Sequence, residues 1–418
     1  KWGFKAKGRS MQQQSKVQVY YLPNGIRLIL NPINGVEATG IGIYVGAGSV
    51  SETPQIMGYS HLLEHMVFKG TKNRDYISIN KDIEKYGGYL NAFTDKHFTC
   101  FYAKILGEFS LQALDVLVDM VTNPIFPNEE LEKEKRVILE EISMYEDSPD
   151  ESLGDLFFEH FYPQSFLGWS ILGTKEIISS INQQKLASYW KENYYSGNMI
   201  ISLTGKFDSQ KVIEYVSKIE NTGTLQKKDI PHTPVFYGAN YKEKDVEQVH
   251  LALGVEVFSL FDSKKHALVL LNNILGAGSF SRLYLNIREK LGLCYSISSL
   301  LSLDAKTGLL GILTATQLDN LEKMLDAVFL EFKNLKNIPP TLEELEIALA
   351  QTKSQILFQR GNVSFHMQKN ATDLFWFNKV IPEEEILEQF EKVKLQDFQD
   401  LYQELFSKIE KFSVFAIL

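Results

Sequence analysis

The chain has 418 residues, which at about 100–200 residues per domain corresponds to two or three domains. Hydrophobic residues make up 44% and charged residues 23%, the composition of an ordinary globular protein, and no apolar run reaches the roughly 18 residues of a membrane span. The net charge of −9 argues against a nucleic-acid partner, which would require a basic surface. Composition therefore predicts neither a nucleic acid nor a membrane as partner.

The two cysteines, Cys100 and Cys294, have no neighbouring cysteine at ligand spacing, which argues against a thiolate zinc site or a disulfide framework. Residues 1–10 are basic and contain no hydrophobic core of a secretory signal. They are interpreted as an expression remnant before Met11 or as the tail of a processed leader. We expect a cytoplasmic location, with an organellar matrix or the periplasm as alternatives.

In chain order, the first half mixes strands and helices. Residues 16–30 alternate in hydrophobicity around Pro23-Asn24-Gly25, which predicts a hairpin-like pair of strands. Residues 90–104 predict a strand, a turn and a second strand. The other segments predict strands at 40–45 and 199–205 and helices at 77–86, 109–121, 129–145, around Asp155 and at 177–189.

Residues 221–234 combine Gly223, Pro231 and Pro234 with few apolar residues, a composition typical of a linker. A similar order then resumes, with strands predicted at 248–255 and 309–316 and helices at 266–275, 321–335 and 342–359. The simplest account is an α+β fold of two related domains, 12–220 and 235–418, each a mainly antiparallel sheet packed with helices.

One short segment points to chemistry: His61-Leu62-Leu63-Glu64-His65. On a helix, residues four apart project from one face, so both imidazoles can reach a single metal ion, while Leu62 and Leu63 turn toward a core. This HxxEH pattern is the reverse of the HExxH zinc motif and marks the inverted zincins. It predicts peptide hydrolysis in which a zinc-bound water gives its proton to Glu64. The second half contains no such motif, so we expect the first half to carry the chemistry and the second half to have a binding or supporting role.

A catalytic zinc usually has three protein ligands, so a third is needed besides the two histidines. The glutamate-rich helix predicted at 129–145 is the obvious source. Glu134 and Glu141 are two turns apart and share a face, whereas Glu140 points about 100° away from Glu141. The alternative is a solvated helix stabilised by Glu/Lys pairs. Spacing alone does not identify the ligand.

Motifs along nearly the whole chain resemble the pitrilysin/insulinase family of inverted zincins, in its bacterial branch similar to the mitochondrial processing peptidase. The resemblance lies in the following segments: Leu22-Pro23-Asn24-Gly25, residues 46–52, residues 61–71, Asn91-Ala92-Phe93-Thr94, residues 134–142, Leu172-Gly173-Thr174 and residues 288–295. It implies that the two domains are homologous and form half of a clamshell-like chamber.

The resemblance also implies roles for individual residues. His61, His65 and Glu141 would hold Zn²⁺, Glu64 would be the general base, and Glu134 would support the site from outside the ligand shell. Asn91, Ala92 and Phe93 match an edge strand that pairs with the substrate backbone. Arg288 and Tyr295 match a pair that reaches the active site. From the residues alone, Asn91 is more simply a strand-end turn residue, Arg288 a surface ion-pair partner and Tyr295 a core residue.

Together these observations predict a zinc metalloendopeptidase acting on peptides or extended polypeptide segments. A non-catalytic or regulatory subunit of a processing-peptidase-like complex is the alternative, although such subunits typically lose part of the metal motif. A peptide-binding module is a second alternative. Because single-chain members of the family carry four such repeats and this chain has two, we expect a homodimer whose sites use both chains. A heterodimer with a homologue remains open.

Overall fold

The computed structural model describes residues 17–226, 230, 233–406 and 411–418, and residues 1–16 therefore lie outside the described part. It shows a mixed α/β fold with two mainly antiparallel sheets and many helices, as the sequence predicts. The predicted elements follow one another in the predicted order, and further elements that were not predicted lie among them. Among the helices described, none is both long enough and apolar enough to cross a bilayer.

The first sheet has six strands in the order β1-β2-β6-β3-β5-β4. The predicted hairpin is confirmed, since β1 and β2 pair in antiparallel fashion around the turn. The one parallel pairing in this sheet is between β2 and β6. The strands are β1 Gln18–Tyr21, β2 Arg27–Pro32, β3 Ala38–Val45, β4 Tyr89–Thr94, β5 Thr99–Leu106 and β6 Met199–Gly205.

The first-half helices fall where apolar periodicity predicts them, except that the helix Ser209–Ser217 was not predicted and one predicted helix needs correction. The single helix predicted at 177–189 is two helices, because the first ends at Ser180 with Ile181 as its C-cap. Asn182 then caps the second by accepting a hydrogen bond from the Lys185 backbone N–H. The helices are α1 Tyr59–Val67, α2 Tyr76–Glu84, α3 Ser110–Thr122, α4 Asn128–Asp147, α5 Pro149–Phe161, α6 Lys175–Ser180, α7 Gln183–Asn193 and α8 Ser209–Ser217.

The second sheet has five strands in the order β7-β11-β8-β10-β9, with β7 and β11 parallel. Sequence analysis predicted β8 and β10 but not the other three strands. Two of these, β7 and β9, lie at the edges of the sheet, where half-exposed strands carry a weaker hydrophobic signal. The strands are β7 Gly238–Lys242, β8 Val249–Val257, β9 Ile297–Leu303, β10 Gly308–Thr316 and β11 Ser413–Ile417.

Helices in the second half include three that were not predicted, all C-terminal to residue 360. A π-helical segment, Tyr284–Lys290, follows the first helix of this half. The α-helices are α9 Lys265–Gly276, α10 Leu321–Asn337, α11 Leu342–Phe358, α12 Val363–Phe377, α13 Glu383–Glu391 and α14 Leu395–Phe406. The predicted domain limits, 12–220 and 235–418, stay a prediction, although none of the described strands crosses from one sheet to the other.

One helix from each half packs against the sheet of the other half. Helix α12 covers the face of the first sheet opposite α1, where Met367 and Ala371 join a core cluster with Ile29 and Ile200. Helix α5 covers the second sheet, where Phe157 packs among Leu309 and its neighbours. The two cores are therefore interlocked, although the strands of each sheet come from one half.

The helix exchange predicts that a first-half residue stabilises the second sheet. Phe157 is fully buried, and a side chain at Gly254 of β8 would collide with its ring. Phe157→Ala should therefore lower the free energy of unfolding by about 3–5 kcal/mol. It should also accelerate hydrogen exchange in β8. Phe358→Ala is the control because Phe358 is 82% exposed. Equal denaturation midpoints for both variants would contradict the account.

Candidate metal centre

Helix α1 is anchored at its start and along its inner face. It begins after Gly58, which has a positive φ of 85° and lies so close to the Leu172 carbonyl that a Cβ would clash. The buried Glu52 carboxylate accepts hydrogen bonds from the backbone N–H groups of Gly58 and Ser60, a favourable position at a helix N-terminus. Leu62 and Leu63 are fully buried, as predicted.

The structure brings His61, His65 and Glu141 together. One ligand atom from each lies within 4.8 Å of those of the other two, and His61 Nε2 is 4.0 Å from Glu141 Oε2. Two ligand atoms of a tetrahedral zinc are about 3.4 Å apart, so a small side-chain adjustment would suffice. The described part of the chain contains no second group of this kind.

The arrangement around His65 suits a metal ligand. Its Nδ1 contacts Glu134 Oε2 at 3.0 Å, which leaves Nε2 free to face a metal. Lys69 Nζ lies 2.7 Å from the other oxygen of Glu134. Burial alone would raise the pKa of Glu134, but the hydrogen bonds from His65 and Lys69 outweigh it, and the pKa is lowered. Glu134 is thus a carboxylate that orients the imidazole, the supporting position implied by the resemblance.

His61 also fits a metal. Its Nδ1 is buried without a hydrogen-bond partner among the described residues, and its Nε2 faces Glu141 at a distance too long for a hydrogen bond. Burial, with a contribution from neighbouring His65, lowers the pKa of His61 to about 3. The ring is therefore neutral near pH 7, as a ligand must be. Two imidazoles and a carboxylate form a donor set typical of catalytic zinc.

Glu64 lies beside these three residues and is held from one side. Thr94 Oγ1 donates a hydrogen bond of 2.6 Å to Glu64 Oε2. Burial raises the pKa of Glu64 and the charge of Glu141 adds to the increase, while the Thr94 hydrogen bond and His65 oppose it. A carboxylate with a raised pKa is a better proton acceptor, which is the property that a general base needs.

The strand β4, which contains Asn91, Ala92 and Phe93, forms the edge of the first sheet. Ala92 N–H donates to Asn91 Oδ1 at 2.8 Å, so the Asn91 side chain covers a backbone donor of this strand. The Phe93 ring packs against Phe98 and Tyr102 on the α12 side of the sheet. Phe93 can therefore offer its backbone to a peptide at this edge, but its side chain is directed away from the metal group.

Arg288 and Tyr295 lie next to each other, and among the described residues no hydrogen bond or ion pair joins either of them to the metal group. Arg288 Nε donates to the Tyr295 carbonyl at 2.8 Å, and its guanidinium lies over the Tyr284 ring at 4.6 Å. The alternative of a core position for Tyr295 is wrong, because 83% of its surface is exposed. The contact between Arg288 and Glu289 agrees with the surface ion pair considered for Arg288.

Sequence reasoning missed three residues that support this centre: Glu52, Lys69 and Thr94. Periodicity could have indicated two of them. Lys69 follows His65 by four residues, and Thr94 follows Ala92 by two on a strand, so each shares a face with its predecessor. Glu52 carries no comparable signal, because its position depends on the loop that brings it back to the start of α1.

Comparison with known proteins agrees with this geometry. Residues 29–175 match the family described as insulinase, peptidase family M16, and residues 180–352 match the domain described as the peptidase M16 inactive domain. An uncharacterized zinc protease of Bacillus subtilis, YmxG, is 35% identical over 94% of this chain and 96% of its own length. An uncharacterized zinc protease of Rickettsia felis is 32% identical over 93% and 94% of the two chains.

Two solved structures share the fold. A protease from Helicobacter pylori has a TM-score of 0.88 at 22% identity and covers 96% of this chain and 99% of that one. A peptidase M16 inactive domain from Pseudomonas fluorescens has a TM-score of 0.87 at 20% identity, with 96% and 98% covered. The fold and the sequence relatives define a class of zinc proteases. The chain belongs to the insulinase family, peptidase family M16.

The geometry makes a prediction that separates adjacent glutamates of α4. Glu141→Gln should weaken zinc binding by more than the roughly 10–100-fold expected for loss of a supporting partner such as Glu134, because it removes a ligand. Glu140→Gln should leave zinc affinity unchanged, since Glu140 is exposed and outside the group. Competition with a chromogenic chelator measures both affinities. Equal affinities would show that Glu141 is not the third ligand.

Proposed function

We propose that this chain is a zinc-dependent metalloendopeptidase, with His61, His65 and Glu141 as ligands and Glu64 as general base. The observation that carries the proposal is the convergence of two imidazoles and one carboxylate beside a second, buried carboxylate. Relatives named as zinc proteases over almost the full length support the metal and the class of reaction.

Zinc bound at this group would act as a Lewis acid and lower the pKa of a coordinated water to about 7. Glu64 takes the proton from the attacking water and returns it to the amine that leaves as the peptide bond breaks. Glu134 holds His65 in the tautomer that presents Nε2, and Lys69 keeps Glu134 ionised. The chain's own residues thus position the ligands and move one proton in each direction.

The expected substrates are peptides or extended segments of polypeptide. Strand β4 ends near Glu64, and an extended chain could pair with its free edge through backbone hydrogen bonds. Ala92 N–H would then leave Asn91 Oδ1 and donate its hydrogen bond to a substrate carbonyl. Because such pairing uses main-chain groups, it favours an extended conformation and permits varied side chains.

The non-catalytic alternative is less favoured by this site. A subunit without catalysis has no need of a base, yet Glu64 is present and hydrogen-bonded beside a complete ligand set. The alternative still calls for a test, for two reasons. The sequence relatives are named as uncharacterized, and the second half matches a domain described as inactive. A peptide-binding module would bind the same peptides without turnover.

The first test measures metal content and peptide turnover on the purified chain. We expect one zinc per chain, loss of activity on chelation and recovery on adding zinc. Glu64→Gln should retain zinc and lower kcat by about 10²–10⁴-fold, because it removes a base but no ligand. A quenched fluorescent peptide library reports turnover. Full activity in the variant would rule out Glu64 as base, and no turnover by zinc-loaded wild type would favour the binding alternatives.

We also propose that the active form is a homodimer in which Arg288 and Tyr295 of one subunit face the metal group of the other. Within the chain this pair is not joined to the metal group, although Tyr295 is strongly exposed. A tyrosine hydroxyl and a guanidinium could stabilise the negative charge that develops on the substrate carbonyl oxygen. A heterodimer with a homologous chain is the alternative partner.

Complementation tests this arrangement. Glu64→Gln and the double variant Arg288→Ala/Tyr295→Phe should each be weakly active alone, since each lacks one part of a composite site. After subunit exchange, some mixed dimers hold one intact site, so turnover should rise toward a quarter of the wild-type level under random mixing. Labelled subunits report the exchange. No recovery despite complete exchange would contradict sharing between chains.

A further inference from the structure

We propose that Thr94 is a positioning residue for Glu64, and that the second half of the chain fixes Thr94 through a buried contact between His97 and Asp304. The inference rests on the proposed function, because it gives Thr94 a part in the hydrolysis for which Glu64 is the base. It assigns the second half a role in catalysis within the same chain, separate from the sharing of Arg288 and Tyr295 between chains.

The hydroxyl of Thr94 has one proton to donate, and its neighbours make Glu64 the acceptor. Thr94 Oγ1 lies 2.6 Å from Glu64 Oε2 and 3.4 Å from Thr99 Oγ1. Thr99 donates its own proton to the Ala47 carbonyl at 2.9 Å. An ionised carboxylate only accepts, so the Thr94 proton must lie toward Glu64.

This single hydrogen bond makes the two oxygens of Glu64 unequal. Oε2 is held by Thr94, while Oε1 makes no hydrogen bond within the described part of the chain. The oxygen that receives a proton from water is then Oε1. Losing the Thr94 hydroxyl would let the carboxyl group rotate and lose this alignment, and misplacement of about 1 Å can reduce a rate by about 10²-fold.

Thr94 is the last residue of β4, so its position depends on the turn that follows. Asp95 N–H donates to the Phe98 carbonyl at 2.8 Å and closes this turn. Val50 N–H donates to the Lys96 carbonyl at 2.8 Å, and Lys96 Nζ contacts the Trp169 carbonyl. First-half loops therefore hold the turn on one side.

The second half holds the turn through His97. Its Nε2 contacts Asp304 Oδ2, and both side chains are buried. The His97 ring also meets the edge of Trp376, with ring centroids 4.6 Å apart. Asp304 lies between β9 and β10, where its backbone N–H donates to Thr307 and its carbonyl accepts from Leu260. A buried polar contact is costly to break, so the turn is fixed relative to the second sheet.

The experiment compares zinc-loaded, full-length variants on one quenched peptide. Thr94→Val removes the hydroxyl and keeps the shape, and we expect kcat to fall about 10- to 100-fold, with KM and zinc content within about twofold of wild type. Thr94→Ser should restore most of kcat. Thr204→Val is the matched control, because Thr204 is a buried threonine of the same sheet whose hydroxyl has no partner among the described residues.

A double-variant comparison tests the link to the second half. Asp304→Ala should lower kcat several-fold, and the pair Thr94→Val/Asp304→Ala should be no slower than Thr94→Val, because both act through one hydrogen bond. If Asp304→Ala does not fold, Asp304→Leu, which cannot hydrogen-bond to His97, takes its place with the same expectation. A multiplicative loss in the double variant would show that the two residues act independently and would overturn the second part of the proposal.

The outcomes separate this inference from the proposed function. If the wild type turns over the peptide and Thr94→Val has the same kcat, or differs only in KM, the proposed peptidase function stands and the role of Thr94 is overturned. If Thr94→Val and Thr94→Ser both lose zinc or thermal stability, the role of Thr94 is also overturned, since the residue would then be structural. No turnover by zinc-loaded wild type refutes the proposed function, and this inference with it.

Discussion

The packing of α1 against α4 is the interaction on which the metal centre depends. Leu62, Leu63 and Met66 of α1 share one core cluster with Leu131, Ile138 and Ile142 of α4. These apolar positions recur at helical spacing, so their burial fixes the rotation of both helices about their axes. Once the rotations are fixed, the histidines of α1 face Glu134 and Glu141. Hydrophobic burial thus brings His65 and His61 beside Glu141, which lies 76 and 80 positions further along the sequence.

Two glutamates beside the same pair of histidines have oppositely shifted pKa values. The pKa of Glu64 is raised, because burial and the charge of Glu141 disfavour its ionised form. The pKa of Glu134 is lowered, because hydrogen bonds from His65 and Lys69 outweigh the effect of its burial. Environment therefore separates an orienting carboxylate, which must stay ionised, from one suited to accepting a proton. Chemical identity at the two positions is the same, and the difference in role comes from their partners.

The second half contributes structure to the first in two places. Helix α12 covers the face of the first sheet opposite α1, and Asp304 contacts His97 in the turn after β4. In return, α5 closes the second sheet. The second half therefore packs against the sheet that carries the candidate site, and separating the halves would expose two apolar faces.

Local pattern in the sequence determined most elements and the chemistry of the site. The 3.6-residue and two-residue periods placed α1, α4 and the β1–β2 hairpin, and the spacing of His61 and His65 predicted a metal, because these signals lie within one element. Family motifs selected Glu141 over Glu140, which spacing left open. Only the tertiary structure decided the helix exchange and the contacts of Glu52, Thr94 and His97 with their partners. The contacts of Thr94 and His97 join segments distant in sequence, and those of Glu52 depend on the path of a loop. Their geometry depends on how whole elements pack, which no local pattern encodes.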